Sequence, residues 1–173
     1  MKVDQITFIL TTLSGIIVFI IGQFLSKFYI EPAQELLKCI GKVESMLIFY
    51  ANIYSNYGFT DKNLLNDAKR NIRNLSSELV SKANVVRGYS LFEFIGYIPS
   101  KENIIKAATE LMGLSNSLND RESISENIKS KKTIRTSLKL GAEGEILERG
   151  KDKFLISLFI LLTISVLIIL LIA

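Results

Sequence analysis

The stretch from Phe154 to Ala173, FLISLFILLTISVLIILLIA, is twenty residues without a charge, and it restricts this chain more than any other feature. At about 1.5 Å of rise per residue such a helix covers roughly 30 Å, the hydrocarbon thickness of a bilayer. A chain of 173 residues has no soluble core large enough to bury it, so a transmembrane helix is expected over 154–173. A second such stretch opens the chain. From Gln5 to Ser26 no residue is ionisable, and QITFILTTLSGIIVFIIGQFLS is long enough to cross as a helix over 5–26. A cleaved signal peptide would have a shorter apolar core followed by a small-x-small site. No such site precedes Lys27, which favours a retained span.

Between the spans there is room for one small domain. Its basic flanks set the orientation: only Lys2 precedes the first span, opposed by Asp4, whereas Lys27, Lys38, Lys42, Lys139, Arg149, Lys151 and Lys153 flank the spans on the inner side. Basic residues stay cytoplasmic, so the expectation is a two-pass protein of the inner (cell) membrane with both termini outside.

The middle reads as all-α, with no alternating Val/Ile/Thr run that would mark a strand. Glu31-Pro32 is expected to start a new helix, because proline suits a first turn and disfavours a helix running through it. Leu36, Ile40, Val43, Leu47, Tyr50 and Tyr54 then recur at helical spacing until Asn56-Tyr57-Gly58. Thr60 is the expected N-cap of the next helix, with Asp61 in its first turn. The stripe of that helix is Leu65, Ala68, Ile72, Leu75, Leu79, Ala83 and Val86, closed by Arg87-Gly88. Ser90 and Glu93 have capping-box spacing, and residues 91–98 are dense in Phe, Tyr and Ile. That segment is either a lid on the bundle or an interfacial helix. Ser100 is read as the N-cap of a third helix, with Glu102 in its first turn and Ile104, Ala108, Leu111, Ser115 and Leu118 along its face, widened by Met112 and Leu114. The small residues Ala68, Ala83, Ala107, Ala108 and Gly113 are expected to let these helices approach closely. Apolar positions thin after Leu118. The domain is therefore drawn as a three-to-four-helix bundle over 31–118, then a weakly packed polar helix and juxtamembrane connector over 119–153.

Catalytic chemistry is poorly supported. The chain has no histidine and a single cysteine, Cys39, which removes the commonest general base, Cys-His and Ser-His pairs, and any internal disulfide. Gly141-Ala142-Glu143-Gly144 lacks the lysine and hydroxyl of a phosphate loop. Glu143, Glu145 and Glu148 lack the ladder of a calcium loop. Neither an enzyme nor a cofactor is expected.

Two features carry more weight. Lys129, Lys131, Lys132, Arg135 and Lys139 form a run with no acidic residue among them, shortly before the second span. It is read either as a solvated helix face or as a contact with anionic lipid headgroups, each basic side chain near the surface contributing about 1 kcal/mol. Nucleic acid fits less well, since the run has no interleaved aromatics and the net charge is only +4. In the first span Thr11, Gly15, Val18, Gly22 and Ser26 share one face at spacings of three and four, a small-residue pattern that lets another helix come close. Its partner is the second span or another copy of the chain. The functional expectation is a non-catalytic membrane protein that self-associates or binds a protein partner through its helical domain, as an effector that perturbs the membrane; the alternative is a passive anchor or scaffold.

Overall fold

The computed structural model describes residues 2–56, 61–118, 120 and 122–140, and every element in them is helical. The expectations for Thr60, the glycine-containing linker and the second span lie outside the described residues. Helix α1 (Lys2–Leu25) is apolar and exposed from Gln5 onward, and it is the one described helix long and apolar enough to cross a membrane. It does not stop at Pro32. Ser26–Ile30 forms a single π-helical stretch, in which the Glu31 N–H bonds the Ser26 carbonyl, and α2 (Glu31–Phe49) follows with no intervening turn. The reason is local: Pro32 offers no N–H to the Phe28 carbonyl and its ring would press against it. One residue of slack in the preceding turn relieves both conflicts without breaking the helix.

The register of α2 follows the sequence stripe, with Leu36, Ile40, Val43, Leu47, Tyr50 and Tyr54 all buried. The axis bends at Tyr50 (φ −94°, ψ 17°) into the single turn α3 (Ala51–Ser55), and the Tyr54 hydroxyl donates to the Leu47 carbonyl across the bend at 2.6 Å. Helix α4 (Lys62–Val85) returns antiparallel. Its N-cap is Asp61, whose carboxylate accepts from the Asn63 and Leu64 N–H groups. Ala68, Ile72, Leu79, Ala83 and Val86 are buried, but Leu65 and Leu75 are only partly so. Ser76 takes the core seat beside Leu75, donating to the Ala108 carbonyl at 2.8 Å. Between α2 and α4, Glu35 bonds Lys38 and Lys82, and Lys42 bonds Glu78 at 2.8 Å. The Lys38 hydrogen bond, joined by Lys82, holds the Glu35 carboxyl below its ordinary range, and Glu78 holds the Lys42 ammonium above its own. These groups are solvated, so they fix register more than they add stability.

Gly88 does not end α4; it adopts φ +65° just before α5 (Tyr89–Phe94), a left-handed conformation that costs glycine little. Ser90 therefore lies inside α5 and not at its cap. Helix α6 (Lys101–Asn116) is capped as its sequence suggests, Ser100 accepting from the Asn103 N–H, and Ile104, Ala108, Leu111, Ser115 and Leu118 are all buried. Arg73 joins α4 to α6 through Ser115 (3.2 Å) and Asn116 (2.6 Å). Gly113 is not a packing contact, since nothing lies within 4 Å of where its Cβ would be, whereas Ala68, Ala83, Ala107 and Ala108 are in the core.

Helix α7 (Ile124–Ser137) closes the bundle. It packs on α6 and α3, with Ile134 and Leu138 buried beside a polar inner face of Asn127, Ser130 and Ser137. Asn127 is the node: it bonds the Ser117 hydroxyl and donates to the carbonyls of Tyr54 and Ser117 at 3.4 Å each. The bundle thus runs from α2 through α7 in four up-and-down layers, one helix further than residue 118.

Candidate functional site

A shallow open groove of about 600 Å³ runs along the outer side of α7, lined by Ile128, Lys131, Lys132, Arg135, Thr136, Lys139 and Leu140. It gathers four of the five residues of the basic run. Helical spacing produces it: each of 128, 131, 132, 135, 136 and 139 has another of the set three or four residues away, so they share one face, and Lys129 falls beside it. Ile128 is exposed there and Leu140 half-buried, so the lining mixes cations with apolar surface.

The cations differ in how they are held. The Lys131 ammonium sits 5.5 Å from the centre of the Tyr54 ring, a cation–π contact that fixes it at the α3 end. Arg135 pairs with Glu44 of α2 at 3.4 Å. Lys129, Lys132 and Lys139 are exposed and have no ion-pair partner among the described residues. Lys139 also has φ +55°, in the left-handed turn that ends α7 while the Leu140 N–H bonds the Arg135 carbonyl.

Height matters for the lipid reading of this run. Glu44, the partner of Arg135, lies about 26 Å along the helix axis beyond Lys27, the first charge after the apolar stretch. Screening at physiological salt acts over about 8 Å, so a headgroup layer at Lys27 exerts little pull on Arg135 or on Lys131 beyond it. The groove lies along the side of the bundle, well along the rod from Lys27.

The small-residue face of α1 is intact and uncovered. Thr11, Gly15, Gly22 and Ser26 are exposed together with Val18, and a Cβ added at either glycine would meet no described atom outside the local helix backbone within 4 Å. The Thr11 hydroxyl donates to the Thr7 carbonyl within α1 at 2.8 Å. What Gly15 and Gly22 offer on this face is close approach of backbones.

The aromatic segment divides in two. Phe92 and Ile98 are buried and Tyr89 donates to the Pro99 carbonyl at 2.8 Å, while Leu91 and Phe94 project outward. Burial pushes the Tyr89 phenol up to about 12, so it stays a neutral donor. Among the described residues no three His, Cys, Asp or Glu side chains are grouped as a metal site. Sequence reasoning found the basic run but not the groove, since the inner face of α7 is polar and no apolar period marks which side of it faces out. Comparison of the chain with protein-family models, with curated proteins and with solved structures finds no match.

Proposed function

We propose that this chain is a non-catalytic integral membrane protein whose bundle docks a protein partner in the α7 groove and couples that docking to its span. The observation that carries this reading is the unbroken helix from Gln5 to Phe49, in which the apolar segment and the first bundle helix are one rod. A passive anchor needs only a tether. Here a force on the bundle is transmitted to the span through packed helix, with the Ser26–Ile30 π stretch as the one departure from α geometry.

The partner that suits the groove is an acidic amphipathic segment, its carboxylates opposite Lys132, Lys139 and Arg135 and its apolar side on Ile128 and Leu140. Nucleic acid is a weaker match, since the lining presents no aromatic face for a base to stack on. With 154–173 as a second span, the protein crosses the inner membrane twice, keeps the bundle cytoplasmic and sends both termini outside. The exposed small-residue face of α1 suits self-association between copies. A passive scaffold is the second reading, favoured by the solvated, unpaired Lys132 and Lys139, which would serve simple tethering equally well.

Crosslinking in intact membranes followed by mass spectrometry tests the docking claim. The parent should crosslink a foreign protein to residues beside the groove, and Lys132→Glu with Lys139→Glu should lose that product while keeping normal membrane levels. An unchanged product refutes the groove as the docking site. Overproduction then separates coupling from passive anchoring: a coupled module depolarises the membrane, and inserting Gly-Gly within Ser26–Ile30 abolishes this while docking persists. A scaffold depolarises in neither form.

A further inference from the structure

We propose that α5 is an interfacial wedge: the side chains of Leu91 and Phe94 insert into the headgroup–acyl boundary of the leaflet from which α1 emerges. This rests on α1 being a membrane span, and it assigns a lipid-contacting surface to the bundle itself.

The end of the bundle at which α5 lies is fixed by contacts with the base of the rod. The Tyr29 ring approaches to 3.4 Å from where a Cβ on Gly88 would sit. The Arg87 guanidinium lies 5.1 Å from the centre of the Phe28 ring. Tyr29 is two residues past Lys27, about 3 Å along the axis from the first charge after the apolar stretch. The turn linking α4 to α6 is thus held at the level where the span meets the headgroups.

What α5 presents there, beside exposed Ser90 and Glu93, is a pair of large apolar side chains. Phe92 is buried inward, whereas Leu91 is 62% exposed and Phe94 88% exposed. Three residues apart on one helix, Leu91 and Phe94 lie on neighbouring positions and form a single apolar projection. Val85, at the adjoining end of α4, is exposed as well. Lys27 and Arg87 supply cations at the same level, and the Phe24 and Phe28 rings stack 4.6 Å apart on the rod. Exposed aromatics flanked by basic side chains, one helical turn from the end of a span, match the chemistry of the interfacial zone. An apolar pair in that position is covered without any partner protein, because the bilayer is already there.

The absence of tryptophan makes the test direct. Three single-tryptophan variants of the full chain are reconstituted in phosphatidylcholine–phosphatidylglycerol vesicles: Phe94→Trp in the wedge, Phe19→Trp in α1 about 12 Å along the axis from Lys27, and Ile48→Trp. Ile48 is 66% exposed and lies about 31 Å along the rod from Lys27, so it reports the distal end. Phe94→Trp should emit blue of Ile48→Trp, resist aqueous acrylamide, and be quenched by lipids brominated near the headgroup more than by lipids brominated at the chain end. Phe19→Trp should show the opposite depth preference, and Ile48→Trp should be quenched by acrylamide alone. If Phe19→Trp is lipid-quenched while Phe94→Trp matches Ile48→Trp, the wedge is refuted and the span stands. A blue-shifted Phe94→Trp untouched by brominated lipid means that protein covers α5, which also overturns the proposal. If Phe19→Trp escapes brominated lipid, the span reading fails and the wedge falls with it.

Discussion

Asn127→Ala should detach α7 from the bundle while leaving the other helices packed. The side chain is 2% exposed and holds three elements together, bonding the Ser117 hydroxyl after α6 and donating to the carbonyls of Ser117 and of Tyr54 in α3. The two 3.4 Å bonds are long and weaker than the one to the hydroxyl. At a net 0.5–1.5 kcal/mol for a good bond, their joint loss costs roughly 1–3 kcal/mol. Removing three heavy atoms from a closed site leaves a small void that adds about 1 kcal/mol. The expected cost is therefore about 2–4 kcal/mol, concentrated on α7, because α2, α4 and α6 keep their own apolar seam of Leu36, Leu47, Ile72, Leu79, Ile104 and Leu111. Hydrogen exchange of the protein in lipid nanodiscs reads this helix by helix. A tenfold change corresponds to 1.4 kcal/mol, so amides of α7 should exchange about 30- to 700-fold faster, with those of α4 nearly unchanged. Two results refute the reasoning: α7 amides already unprotected in the parent, or a uniform acceleration over α4, α6 and α7.

Three further outcomes follow from positions at which the structure separates similar residues. Leu79→Ala, in a fully buried seat, should cost about 2–5 kcal/mol, whereas partly buried Leu75→Ala should cost about 1–2 kcal/mol by chemical denaturation; equal costs would mean that the α4 register is wrong. Cys39 is 1% exposed, and burial, with Glu78 adding, raises its thiol from the ordinary 9.0 to about 11. A thiol whose folded pKa is raised contributes stability that is full below pH 9.0 and is lost as pH rises through about 11. Native protein should accordingly label slowly with maleimide at neutral pH and rapidly once denatured, and fast native labelling would contradict the burial. Replacing Gly15 and Gly22 together by Leu should abolish crosslinked oligomers at unchanged membrane levels; oligomers that persist would assign the α1 face to lipid or to packing within one chain.

The fold was legible in the sequence where burial is apolar and periodic. Every member of the α2 stripe from Leu36 to Tyr54 is buried, as is the α6 face from Ile104 to Leu118, because side chains three and four apart share a face and water selects the apolar one. Helix α7 escaped for the same reason in reverse. Asn127, Ser130 and Ser137 turn inward, with Asn127 hydrogen-bonded there, which no hydrophobic period records, so a bundle helix read as a weakly packed polar helix outside the bundle. In α4, Leu75 yields core space to Ser76, whose hydroxyl is satisfied by the Ala108 carbonyl, a partner 32 residues away that local spacing does not reveal. Pro32 looked like a boundary because the rule concerns α geometry, and the π stretch before it changes that geometry. Asp61, which the sequence offered as a first-turn acid, is the cap of α4, because its carboxylate reaches the free Asn63 and Leu64 N–H groups. For the candidate site, the basic residues were legible but their height above the span was not, since height depends on the antiparallel pairing that sets Arg135 beside Glu44.

The rigid connection between span and bundle is tested most directly by a distance. Spin labels at Leu13 and Lys38, both exposed and on opposite sides of the π stretch, are attached to cysteines in a Cys39→Ala background in nanodiscs. Their backbones are 25 residues apart, so one continuous rod sets them at about 37 Å. Pulsed electron resonance should return a single narrow distribution centred near that separation once label length is included. A broad distribution, or one displaced to clearly shorter distances, would mean that Ser26–Ile30 is a hinge and would contradict the coupling of bundle to span.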